Sequence, residues 1–64
     1  METIMRFKGL GNNILTVHSH LGAMGWQLED EKEELPDSSC GVYSKGTTKA
    51  ALFISYDDMV LRKI

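Results

Sequence analysis

Sixty-four residues carry nine acids against seven lysines and arginines, a net charge of −2, with 42% hydrophobic and 25% charged side chains. A chain this short has no room for a second core and buries only about 60% of its unfolded surface, so dimerisation is one route to further burial. One cysteine, Cys40, excludes an internal disulfide, no zinc quartet is visible, and no apolar run approaches the ~20 residues of a membrane span.

The expectation is a single soluble domain over residues 1–64 in a reducing, cytoplasmic compartment, since Met1–Leu10 holds Glu2, Arg6 and Lys8 rather than a signal-peptide apolar run. In Met1–Lys8, Ile4, Arg6 and Lys8 alternate with Met5 and Phe7, which predicts a short first strand. Gly9-Leu10-Gly11 turns the chain into a helix. A dinucleotide fingerprint would need glycine at Ile14, and no Gly-Lys-Ser/Thr follows, so the turn is not read as a phosphate loop.

Asn12 and Asn13 are capping residues, and Ile14, Val17, Leu21 and Met24 then recur on one side of a helix. Gly25 ends it. Trp26 and Leu28 alternate with Gln27 and Glu29, so the period drops from 3.6 to 2 within one residue and a strand over Trp26–Glu29 follows directly. Trp26 reads as core, because it shares its parity with Leu28.

Next comes DEKEELPDSS, with Pro36 unable to donate to a ladder, read as an exposed acidic loop. Six of the nine acids fall between Glu29 and Asp37, against Lys32 alone. Two hairpins sharing a strand complete the chain: Cys40–Lys45, the turn Gly46-Thr47-Thr48, Lys49–Tyr56, the turn Asp57-Asp58, and Met59–Ile64. A two-residue second turn pairs Tyr56 with Met59 and Ile54 with Leu61. Leu52, Ile54, Tyr56, Met59 and Leu61 then meet the helix, while Phe53, Ser55, Val60 and Arg62 face away. Tyr43 joins the outer face if Cys40 and Val42 point inward, and a one-residue register change buries it. The predicted fold is α+β, one helix on one face of a four- to five-stranded, mainly antiparallel sheet in the order β-α-β-β-β-β.

Leu21-Gly22-Ala23-Met24-Gly25-Trp26-Gln27-Leu28 resembles the helix–Gly–Trp–strand segment of a family of small bacterial and phage domains of unknown function. There the segment leads to a last strand ending in basic residues, like Met59-Val60-Leu61-Arg62-Lys63-Ile64. The resemblance implies the same order of elements and carries no activity; the acidic loop and extra hairpin depart from it.

The chemistry-bearing residues point away from catalysis. On a helix His18 and His20 lie about 200° apart and cannot share one ion, which leaves no metal site. Cys40 follows an acidic segment that opposes thiolate formation, and Asp57-Asp58 suits a turn better than an acid–base pair. No cofactor loop is present, so no enzyme and no cofactor are expected. With one helix, only one side of the sheet is covered from within the chain.

The outer side is therefore expected to bind a partner through Phe53, Val60, Arg62, Tyr43 and Lys45, with Glu29, Asp30, Glu31, Glu33 and Glu34 steering the encounter. The first reading is a non-catalytic protein-binding module, an inhibitor or regulator acting by occlusion, with a second copy as one possible partner and a phage or mobile-element origin suiting it. The alternative is single-stranded nucleic-acid binding, with Phe53 and Tyr43 stacking bases and Lys45 and Arg62 holding phosphates. Net negative charge and the lack of an RNP-type motif weigh against it.

Overall fold

Both ends of the helix are encoded locally. In the computed structural model, which describes residues 2–29 and 38–64, helix α1 spans Ile14–Ala23 and is capped by Asn13, whose side chain accepts from the Thr16 amide at 3.2 Å. At the other end Gly25 takes φ +93°. The Trp26 amide then reaches back to the Leu21 carbonyl at 2.9 Å and the Gly25 amide to that of Gly22 at 3.1 Å. These two bonds form a Schellman stop, and both Leu21 and Trp26 belong to the core.

Around the helix lie β1 (Thr3–Phe7), β2 (Gln27–Leu28), β3 (Ser39–Lys45), β4 (Thr48–Ser55) and β5 (Asp58–Lys63). They make one five-stranded sheet in the order β1-β5-β4-β3-β2, with every neighbouring pair antiparallel. The fold is α+β with the predicted order of elements. Strands β2 to β5 form a meander, and β1 closes the far side beside β5. Val17, Leu21, Trp26, Tyr43, Ala50, Leu52, Met59 and Leu61 form the core between helix and sheet.

The last hairpin turns at Tyr56-Asp57 rather than Asp57-Asp58, so Ile54 pairs with Met59 and Leu52 with Leu61. The expected register is off by two residues. Side chains alternate with period 2, so the paired residues of the hairpin keep their expected faces, while Tyr56, expected to meet the helix, does not. Tyr56 occupies the turn at φ +56°, fully exposed.

Asp58 is not a turn residue but a clamp. Its carboxylate accepts from the Gly9 amide at 2.9 Å and from Arg6 Nη1 at 2.8 Å, tying the end of β1 to the start of β5. The Gly9 amide first, and Arg6 second, hold the Asp58 carboxyl below its usual pKa. Beside it Gly11 donates to the Asp57 carbonyl at 2.8 Å. A Cβ at Gly11 would stand 2.8 Å from the Asp57 carbonyl carbon, so only glycine fits there without a shift.

The predicted apolar stripe of α1 is only half buried. Val17 and Leu21 are sealed, whereas Ile14 and Met24 count among the exposed apolar residues. No helix among the described residues is long and apolar enough to cross a membrane.

Candidate functional site

The face of the sheet away from α1 does not present the expected patch. Val60 is fully buried between its cross-strand neighbours Phe53 and Arg6, and Ala51 between Val42 and Arg62. Phe53 is half-buried, and the Arg62 guanidinium carbon lies 6.0 Å from its ring centroid, within cation–π range.

Tyr43, expected on this outer face, is 2% exposed and sits in the core under the helix. The cause is a one-residue register shift between Ser39 and Gly41, an extra residue on the β3 side. Cys40 can then pack against the core without forcing Tyr43 to the opposite side. Lys45 shares the parity of Tyr43 and runs past the C-terminal end of α1, its Cε 3.5 Å from where a Gly25 Cβ would stand. Of the five residues expected to form one surface, Phe53, Val60 and Arg62 share the outer face, with Val60 sealed among its neighbours, while Tyr43 and Lys45 lie on the helix side. Glu29 lies 3.7 Å from Lys49 Nζ in a partly exposed ion pair. Asp30, Glu31, Glu33 and Glu34 lie outside the described residues.

The exposed apolar surface is instead concentrated on the helix side. Ile14, Leu15 and His18 from one flank of α1 face Leu28 of β2 and Cys40 and Tyr43 of β3 across an open cleft of about 240 Å³. Leu15 is 77% exposed and Leu28 50%. At the cleft's inner edge His18 Nδ1 lies 3.0 Å from the Tyr43 hydroxyl, with the rings tilted at 49°. Burial first, and the Cys40 thiol second, push the Tyr43 phenol above its usual pKa. Tyr43 therefore stays protonated near neutrality, with its hydroxyl held against His18 Nδ1. The His18 nitrogen that faces the sheet is engaged by that phenol rather than by the Cys40 thiol, so the cleft brings a cysteine and a histidine together without pairing them as nucleophile and base.

His20 projects to the opposite flank and stacks on Phe7, with ring centroids 6.2 Å apart. The two histidines diverge as a helix requires, and no group of three potential metal ligands occurs among the described residues.

A sequence signal for the cleft exists. From Gly9 to Leu28 there is no Asp, Glu, Lys or Arg, in a chain that is 25% charged. A solvent-facing helix ordinarily carries charge on its outer side, and α1 carries none. No family model, curated protein or solved structure matches the chain.

Proposed function

We propose that the protein is a non-catalytic, cytoplasmic protein-binding module, an inhibitor or regulator that acts by occlusion. Its contact surface is the helix-side cleft. The observation that supports this reading is the exposure of Leu15 and Leu28 on either side of a cleft whose lining holds no Asp, Glu, Lys or Arg. Interface centres are depleted in charge and hold apolar anchors in pockets. The acids of the Glu29–Asp37 stretch directly follow Leu28 in the chain, and they steer a basic partner toward the cleft.

Three placements weigh against the nucleic-acid alternative. Tyr43 is buried, Lys45 lies on the helix side, and Arg62 already covers Phe53. The test compares three immobilised proteins, wild type, Leu15→Glu and Phe53→Asp, for retention of a protein from source lysate. Retention lost with Leu15→Glu and kept with Phe53→Asp is the expected result. The reverse pattern would return the site to the outer face.

A further inference from the structure

We propose that the hollow beyond the C-terminal end of α1 is a binding site for a small organic carboxylate, with its charge held between Lys45 and Lys63 and its apolar body against Trp26 and Ile4. The hollow has a volume of about 290 Å³ and is lined by Glu2, Ile4, Trp26, Lys45, Thr48 and Lys63. It shares no residue with the helix-side cleft, so it stands apart from the protein-binding reading.

Strand register makes the hollow. Tyr43, Ala50 and Lys63 lie abreast on β3, β4 and β5, and Lys45 and Thr48 are the next pair along on the same face. The helix has already stopped at Gly25, and Ala50 and Thr48 are too small to fill the space it leaves. The two lysines stand two strands across and two residues along from each other, about 12 Å between Cα atoms, which their long stems can close on one carboxylate. Trp26, 7% exposed, and half-buried Ile4 supply the apolar wall.

Charge selects the ligand. Among the described residues neither lysine makes an ion pair and neither side chain donates a hydrogen bond. The stem of Lys45 runs past Gly25, yet the helix end does not use its ammonium, because the Leu21 and Gly22 carbonyls already accept from the Trp26 and Gly25 amides. Glu2 is the one acid in the lining and is bridged to neither lysine, which leaves the hollow net positive. Two cations beside an apolar wall favour an anion that carries an apolar body, since a wall of low dielectric strengthens the attraction. The volume lies at the lower limit of the ~300–1,000 Å³ of small-molecule pockets, which restricts the body to about one ring.

Titration with phenylacetate tests this, followed by the fluorescence of Trp26, the chain's one tryptophan, and by the amide NMR shifts of Lys45 and Lys63. Saturable binding with a dissociation constant on the order of 1 mM at low salt is the expected result. Neutral phenylacetamide should bind about fivefold more weakly or less, and Lys45→Gln and Lys63→Gln should each weaken phenylacetate about threefold. Lys45→Arg keeps the charge and the affinity, Glu2→Gln tightens binding, and Lys8→Gln, outside the hollow, changes nothing. Unchanged urea midpoints show that the variants fold. A short peptide acid ending in phenylalanine distinguishes the source of the carboxylate: tighter binding than phenylacetate assigns it to a chain end, equal or weaker binding to a free acid, and both support the site. Equal affinity for acid and amide overturns the proposal, as do Lys45→Gln and Lys63→Gln proteins that bind like their parent. Phenylacetate that moves neither the fluorescence nor the shifts overturns it as well.

Discussion

The two faces of the sheet reverse the arrangement expected of a one-helix domain. The face without a helix is nearly closed, while the face under the helix carries most of the exposed large apolar residues, Ile14, Leu15, Met24, Leu28 and Ile54 among them. Dimensions explain the helix side. Ten residues of helix span about 15 Å. Five strands span about 19 Å across, at about 4.8 Å between neighbours. Covering Leu52, Met59 and Leu61 near the middle leaves β2 and Leu28 beyond the helix's reach. On the other face, closure comes from alternating small and large neighbours. Ala51 and Val60 sit low, and Phe53, Arg62 and Arg6 lie beside and over them. An open face is therefore not the same as an uncovered one.

The contrast can be broken most severely from the core they share. Leu52→Ala, beneath the helix, is expected to lose about 2–5 kcal/mol, which in so small a domain approaches complete unfolding in a urea titration. Phe53→Ala, one residue along but on the other face, should cost less, roughly 1–2 kcal/mol, because its ring is only half-buried. Equal losses at the two positions would mean that both faces are core.

Gly11→Ala, which forces a methyl group against the Asp57 carbonyl, is expected to cost about 1–3 kcal/mol in the same titration. Leu15→Glu should change stability by no more than about 0.5 kcal/mol while removing binding, which separates a recognition surface from a structural one.

The smallest effect belongs to acid. Asp58 has a folded-state pKa below its unfolded value, so its contribution is present above the unfolded pKa, near 4, and fades as pH falls through the folded one. Replacing it with Asn should flatten the acid side of the stability profile below about pH 4. A wild-type acid limb retained by Asp58→Asn would assign it to other carboxylates.

How much of this was legible in the sequence depended on range. The helix and its stop are local: Asn13, Gly25 and Trp26 act within one or two turns, and the change of period at Gly25 marks the strand that follows. The hairpin faces were legible because a two-residue error leaves parity intact. Tyr43 was not, because one additional residue beside Cys40 reverses parity, and no local residue type announces it. The sealing of Val60 could not be read either, since it depends on Phe53 and Arg6, which reach it from two different strands. The exposed flank of α1 left a trace, an uncharged stretch from Gly9 to Leu28, but apolar periodicity alone places Ile14 inside.

The pairing of β1 with β5 has a consequence for synthesis. The domain's first strand must wait for its fifth during synthesis, because Met5 and Phe7 lie opposite Leu61 and Met59, and the Lys63 amide closes onto the Glu2 carbonyl at 2.8 Å. Until β5 emerges, the nascent chain holds β4 with a bare border along Ala50, Ala51 and Leu52 open to other chains. Folding of this domain therefore cannot be completed until the stretch through Lys63 has left the ribosome.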